Sequence, residues 1–319
     1  MYRDAKVAVV VPAYNEQALI ARVIDTMPSI VDLIIVVDDA SQDSTSTVVK
    51  TYCDKDTKRV ILMRHKVNQG VGGSILTGHR KAVEEQMDIV VVMAGDAQMD
   101  PSELTKILDP VVEGRADYAK GNRFINGEAW KFMPKVRYFG NAALSMLNKI
   151  VSGYWHISDP QCGYTAITTR AIELLNFEHL HKRYFFENSM LIQLNALGLC
   201  VMDVPVRAIY GIGENSGIRY WSTFLHFTLH LFVGFFWRLK EKYIIRDFHP
   251  LVFFYALGLL MFPSGLLFGI YLVYHRLWVG PVEATSALFA TFVTTSGMQF
   301  LLLAMLLDRE QGRPKGYRY

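Results

Sequence analysis

Asp96 and Gln98 stand at the end of an apolar run, in Val90-Val91-Val92-Met93-Ala94-Gly95-Asp96-Ala97-Gln98-Met99-Asp100-Pro101. A carboxylate and an amide two residues apart are hard oxygen donors. They suit Mg²⁺ or Mn²⁺ and a phosphate-bearing substrate. An apolar run that stops abruptly at such residues reads as a buried strand delivering ligands to a sheet edge, where open α/β sheets bind their ligands. Other strand-like runs end in the same way. Pro12, Tyr14 and Glu16 follow Val7 to Val11, and Asp38 and Asp39 follow Leu33 to Val37. A carboxylate there either accepts from a base imide or ribose hydroxyl, or caps the next helix. Gly70 opens the glycine-rich stretch Gly70-Val71-Gly72-Gly73, which is neither a Walker loop nor a dinucleotide fingerprint. Alone, that stretch reads as a flexible loop.

These residues need a scaffold, and the pattern supplies one. Continuous β-branched runs at Val7–Val11, Leu33–Val37, Val60–Met63 and Ile89–Met93 predict buried parallel strands. Helical spacing over Gln17–Met27, Ser44–Tyr52 and from the glycine-rich stretch to about Glu85 separates them. Ser41 and Asp43 are placed to cap the second of these helices. Regular alternation predicts a doubly wound α/β fold. Beyond Asp117 the pattern mixes. Strands are expected over Ala119–Arg123, Cys162–Thr168 and Val201–Val206, with helices over Asn141–Val151, from Arg170 to Leu175 and over Glu187–Leu197.

The chain has 319 residues, 51% of them hydrophobic, with the excess near its C-terminal end. Leu251–Tyr274 and Ala284–Leu307 are each 24 residues without a charged side chain. Each is long enough to cross a bilayer. Pro263 and Gly265 within the first are tolerated in membrane helices. Arg238, Lys240, Lys242 and Arg246 precede the first span, and Arg309, Arg313, Lys315 and Arg318 follow the second. The positive-inside rule then places both termini in the cytoplasm. No secretory signal pattern opens the chain. Tyr220–Trp237 is uncharged and rich in Phe, Leu and His. It is expected to lie in the headgroup region as an interfacial helix. A net charge of +3 is too small to argue for nucleic acid, and none is expected as a partner. Cys53, Cys162 and Cys200 lack metal-type spacing and read as reduced thiols. The expected layout is a catalytic domain over 1–217, interfacial helices over 218–247 and a two-span hairpin over 248–319.

The ordered segments Val9-Val10-Val11-Pro12-Ala13-Tyr14-Asn15-Glu16, Val37-Asp38-Asp39-Ala40-Ser41, Asn68-Gln69-Gly70 and Gly95-Asp96-Ala97-Gln98-Met99-Asp100-Pro101 carry a resemblance. Together they resemble family-2 glycosyltransferases of the GT-A fold. Gly121-Asn122-Arg123 and Asp159-Pro160-Gln161-Cys162-Gly163-Tyr164 are similar to the polyprenyl-phosphate branch, which includes dolichyl-phosphate mannose synthases and undecaprenyl-phosphate glucosyltransferases. The resemblance covers about residues 5 to 220.

It implies a GT-A doubly wound, mostly parallel sheet, followed by interfacial helices and two transmembrane helices. It also implies inverting transfer of a hexose from a nucleotide sugar to a polyprenyl phosphate. Pro12, Tyr14, Glu16, Asp38, Asp39, Gly70 and Asp96 would bind the nucleotide sugar. Asp96 and Gln98 would hold the divalent metal. One departure stands out: the family usually has an acid two residues before this Asp, where Ala94 stands here. Arg123, Lys135, Arg137, Arg207 and Arg219 are candidates for the acceptor phosphate, because basic groups, and guanidinium above all, match it. Solvation competes for Lys135, and ordinary membrane-proximal charge for Arg219. Asp159 and Gln161 would face the sugar or acceptor, with a structural Asp-Pro turn as the alternative. With Asp96 and Arg123 they form the candidate catalytic group. Glu187 either faces the sugar or caps its helix. The loop Tyr210–Gly217 reads as a lid. Rival readings are a polysaccharide synthase and a non-catalytic scaffold. The first lacks its Gln-x-x-Arg-Trp signature here, and Ala94 is the support for the second. The small residues Thr291, Thr294, Thr295, Ser296 and Gly297 suggest a packing face for a homo-oligomer.

Overall fold

The structure is a computed structural model, and it describes residues 1–56, 59–125, 135–207 and 220–312. Its contacts divide the chain into two compact units, one ending at Phe235 and the other beginning at Phe236.

The first unit is built on a seven-stranded sheet. The strands are β1 (Val7–Ala13), β2 (Leu33–Asp38), β3 (Val60–Arg64), β4 (Ile89–Val92), β5 (Tyr118–Asn122), β6 (Thr165–Thr168) and β7 (Val201–Pro205). Their order is β3-β2-β1-β4-β6-β5-β7. β1 to β4 pair in parallel, β6 runs antiparallel to both β4 and β5, and β7 is parallel to β5. β1 and β4 are apolar and buried at every position because both faces are covered. Val7, Val9 and Val11 of β1 pack with helices α1 (Ile20–Asp25), α2 (Thr45–Lys55) and α4 (Leu104–Val112). Ala8 and Val10 point the other way, into a core shared with α3 (Val71–Glu84), α6 (Thr169–Leu174) and α7 (Phe186–Ala196). Gly78 of α3 is where helix and sheet come closest, since a β-carbon there would lie 2.3 Å from Val10 Cγ1.

The expected mostly parallel α/β sheet is present, and three helices differ from expectation. The first begins at Ile20 rather than Gln17. Gln17 is used elsewhere: its N–H donates to Asp43 Oδ2 and its Oε1 accepts from Ser44 N–H. The helix before β6, α5, runs Lys135–Ser152 and so starts six residues earlier than the expected Asn141. Helix α4 was not anticipated from its spacing, because Pro110 lies inside it. The ring falls in the last turn, where it forfeits one bond without splitting the helix.

Helix α8 (Tyr220–Lys240) extends from the first unit into the second. Its Phe227 ring packs edge-on against Phe185, and Gly234 lets Ile192 of α7 approach. On the opposite face Leu229, Phe232 and Val233 are exposed, at 57%, 62% and 65%.

In the second unit a π-helical stretch, Glu241–Arg246, leads to α9 (Leu251–Trp278) and α10 (Ala284–Gln311). Both are 28 residues long and apolar enough to cross a membrane, and only 22% and 17% of their most apolar windows are buried. A soluble core helix would be mostly covered. The backbones of this hairpin touch closely. A β-carbon at Gly297 would meet the Phe262 backbone nitrogen at 2.3 Å, and one at Gly265 would meet Thr294 Oγ1 at 2.6 Å. Thr294 and Gly297 therefore serve contact between the two spans, which corrects the expectation that they belong to a free oligomer face. Arg238 also departs from expectation as a free membrane-flanking charge. It is fully buried, with Nη1 and Nη2 at 2.8 and 2.7 Å from the Asp308 carboxylate, which also accepts from the Tyr243 hydroxyl.

Candidate active site

Strand direction assembles the site. β1, β2 and β4 are parallel, so their C-terminal loops share one edge of the sheet. β6 opposes β4 and β5 opposes β6, so β5 ends at that same edge, and β6 begins there. Topology thus brings together residues 12–17, 38–46, 94–101, 122–125 and 158–164. β7 ends there too, with Arg207 just beyond it.

Short side chains stitch the loops after β1 and β2. Asn15 N–H donates to Ser41 Oγ at 3.0 Å and Asn15 Oδ1 accepts from Gln42 N–H at 2.9 Å. Glu16 N–H donates to Thr45 Oγ1 at 2.9 Å. Asn15, Ala40 and Ala97, one in each of the loops after β1, β2 and β4, hold φ of 57°, 61° and 57°. Left-handed backbone at a non-glycine residue costs of order 1 kcal/mol and tends to gather where function over-determines the chain. The Gly95 N–H donates to the Pro12 carbonyl at 3.1 Å, which ties the β4 loop to the β1 loop.

Asp38 and Asp39 organise these loops. Asp38 is fully buried, and its carboxylate accepts from Ser41 N–H at 2.8 Å and from the Ser46 hydroxyl, beside Arg64. This corrects the expectation that it faces a nucleotide: it holds the turn that follows β2. The Asp39 carboxylate accepts from Gln69 and Gly70 N–H at 2.8 and 2.7 Å and meets His65 Nδ1 at 2.7 Å. Gly70 is not in a flexible loop either. Its φ is +89°, and a β-carbon there would lie 2.6 Å from the Lys182 carbonyl oxygen.

Asp96 and Gln98 sit in one tight turn, in which Asp96 Oδ1 accepts from Gln98 N–H at 3.1 Å. Glu16 is half-buried, and its carboxyl is pushed up to about 7, chiefly by burial and then by repulsion from Asp96 and Asp43. Crowded negative charge at a strand end is what a cation relieves. Among the described residues no three His, Cys, Asp or Glu side chains converge as a self-sufficient metal cage. A carboxylate and an amide from the protein, with substrate oxygens completing the shell, fit a hard divalent ion that keeps few protein ligands.

Buried charge holds the β5–β7 side. Arg123 forms a bidentate pair with Asp159, Nε to Oδ2 at 2.7 Å and Nη2 to Oδ1 at 2.9 Å, and its backbone N–H also donates to Oδ2. Lys120 is fully buried and donates to the Cys162 carbonyl. Asp203 accepts from Ser158 N–H at 2.8 Å and from the Asn122 amide, and burial pushes its carboxyl up to about 6. Gln161 Nε2 donates to Asn188 Oδ1 at 3.3 Å. The two sides meet where Tyr164 donates its hydroxyl to the Asp100 carbonyl at 3.2 Å.

Pro12, Glu16, Asp96, Gln98, Arg123, Asp159 and Gln161 therefore share one edge with exposed Tyr14. Arg207 begins beside them, its N–H donating to Glu103 Oε2 at 2.8 Å, with its side chain exposed. Lys135 and Arg137 fall in the first turn of α5, and their side chains lie outside the described residues, as do Arg219 and the expected lid Tyr210–Gly217. Lys120 and Asn188 were not singled out from sequence. A charged residue in the small apolar context of Tyr118-Ala119-Lys120-Gly121 was the available signal for the first.

Residues 8–175 match the family model for glycosyl transferase family 2. A UDP-N-acetylglucosamine–dolichyl-phosphate N-acetylglucosaminyltransferase of Methanococcus voltae is 31% identical over 219 residues, covering 65% of this chain and 87% of that protein. An undecaprenyl-phosphate mannosyltransferase of Micrococcus luteus is 30% identical over 208 residues, covering 63% of this chain and 82% of its own. In shape, the chain is similar to glucosyl-3-phosphoglycerate synthase from Mycobacterium tuberculosis, with a TM-score of 0.52 at 20% identity over 75% of this chain and 80% of that one. That likeness shows the GT-A fold. The family match spans β1 through β6, the stretch that carries the strand-end loops assembled above, and on it the chain belongs to the family-2 glycosyltransferases.

Proposed function

We propose that this glycosyltransferase moves one hexose from a nucleotide sugar to a polyprenyl phosphate at a membrane surface. The observation that carries the reading lies within one unit. The site edge bears phosphate-compatible groups, and α8 of the same unit exposes the apolar side chains of Leu229 and Val233 at 57% and 65%. The names of the relatives point to the same acceptor class.

In this reading the loops of Pro12, Tyr14, Glu16 and Asp39 cradle the nucleotide. Asp96 and Gln98 would hold Mg²⁺ or Mn²⁺ against the donor diphosphate. When bound, the ion supplies charge neutralisation for the departing nucleoside diphosphate. Arg123, fixed in direction by Asp159, takes one side of the acceptor phosphate, with Lys135, Arg137, Arg207 and Arg219 as further cationic candidates. A phosphate oxygen attacks the anomeric carbon from the face opposite the leaving group. The new C–O bond forms as the bond to the diphosphate oxygen breaks, and the configuration inverts. The attacking phosphate is already an anion near neutral pH, so no general base is required. A UDP-hexose is the first choice of donor and GDP-mannose the second. The spans anchor the enzyme with both termini cytoplasmic.

The test is a donor panel with one short-chain polyprenyl phosphate and the full chain in nanodiscs. UDP-glucose, UDP-N-acetylglucosamine and GDP-mannose are offered in turn, with product mass as readout. One lipid product heavier by a single hexose or N-acetylhexosamine is expected. Absence of any such product, with all donors and both metals, overturns the reading.

A further inference from the structure

Glu187 stands at the second position of α7, where its carboxylate accepts from its own backbone N–H. The N-cap is Phe185, whose side chain makes no capping hydrogen bond. The carboxylate also lies over Gly163. A β-carbon on Gly163 would have Met99 Cε at 3.3 Å and Glu187 Oε1 at 3.8 Å. Met99 belongs to the loop that carries Asp96 and Gln98, and its sulfur accepts from Ala94 N–H. Gly163 follows Gln161 by two residues. One glycine therefore leaves room for Glu187 to close over the junction of two loops, one reading the diphosphate and one lying beside the acceptor.

Two further observations come from the same wall. Asn188 is 2% exposed, and its Oδ1 accepts from Gln161, while its Nδ2 has no partner among the described residues. A buried N–H without an acceptor is disfavoured unless a ligand or water completes it. Burial pushes the Glu187 carboxyl up, and the charges of Lys120 and Arg123 offset that only in part. Its carboxyl oxygens are acceptors on the same wall as the buried Asn188 amide.

We propose that Glu187, backed by the Gln161–Asn188 pair, is the specificity-determining residue that accepts hydrogen bonds from hydroxyls of the sugar being transferred. This rests on the transferase reading given above. It adds the recognition of the sugar to that of the nucleotide and the phosphates. Sites built to hydrogen-bond a hydroxyl discriminate strongly against analogues that misplace it.

The experiment separates sugar from nucleotide. Glu187→Ala and Glu187→Gln are prepared in full-length protein, with thermal denaturation to confirm that each is folded. Binding of UDP-glucose, UDP-galactose, UDP-N-acetylglucosamine, GDP-mannose, UDP and GDP is measured by calorimetry, and transfer by product mass. For the donor preferred by the wild type, Glu187→Ala should weaken binding about 10-fold or more and flatten the preference over its epimer. Binding of the bare nucleoside diphosphate should stay within about twofold. Glu187→Gln, which keeps one acceptor oxygen, should fall between. Equal losses for nucleotide and nucleotide sugar, or an unchanged epimer preference, overturn the proposal. If the wild type binds donors but transfers to no polyprenyl phosphate, the transferase reading fails, while the binding arm still decides the role of Glu187.

Discussion

Around β1, β2 and β4 the strand-end loops are held by many backbone N–H groups donating to short side chains, the buried carboxylates of Asp38 and Asp39 among them, whereas around β5, β6 and β7 they are held by a few buried charged groups with the Arg123–Asp159 pair at the centre. Ser41, Thr45 and Asn15 share the work on the first side. Lys120, Arg123, Asp159 and Asp203 do it on the second. Many small bonds tolerate the loss of one. A buried ion pair does not, because removing one partner strands the other. Side chains on the first side can therefore be tuned to a ligand at little cost to the fold, while those on the second serve ligand and fold together.

Substitutions can break that contrast. Asp96→Ala should lower transfer about 10³-fold, by loss of a group that supports charge on the leaving diphosphate. Its melting temperature should stay within a few degrees of wild type. Unfolding of this variant would show that the first side is no more forgiving than the second. Asp159→Asn should do the reverse in kind, destabilising the domain by about 3 kcal/mol because Arg123 is left largely buried without its counter-charge. Denaturant unfolding in detergent reads this directly, and a change below about 1 kcal/mol would sink the idea that charge holds this side.

The smallest effect concerns pH. Glu16 has a folded-state carboxyl near 7 against an ordinary value of 4.5. Its ionised form is therefore the costly one. The cost is absent below the ordinary value, grows between 4.5 and 7, and is fully present above 7. Glu16→Gln should leave stability unchanged at pH 4 and raise it at pH 8 by about 1 kcal/mol, a figure reduced for the half-exposure of the group. Melting curves of both proteins across that range check the sign. Parallel curves would mean that neither burial nor the neighbouring Asp96 and Asp43 raises the Glu16 carboxyl.

The same contrast explains what could be read in the sequence. Val7–Val11 or Ile89–Met93 announce their strands, because a strand covered on both faces has no polar position to blur the signal. The Asp96–Gln98 turn is legible for the same reason, as polarity begins abruptly where burial ends. Asp38 and Asp39 look alike in sequence, yet what each carboxylate accepts from is set by Ser46 and Gly70, on other elements. Nothing local tells which loop each buried carboxylate ties down. Lys120 and Asn188 are harder still. Their meaning comes from β6 entering antiparallel between β4 and β5, which folds residues 158–164 back over the site.

Arg238 and Asp308 lie 70 residues apart in the chain and are both fully buried. Neither is tolerable alone once buried. Each can leave water only where the other already waits, so the stretch before α9 and the end of α10 close together or not at all. The hairpin thus carries its own clasp, in which the burial of one end is conditional on the other.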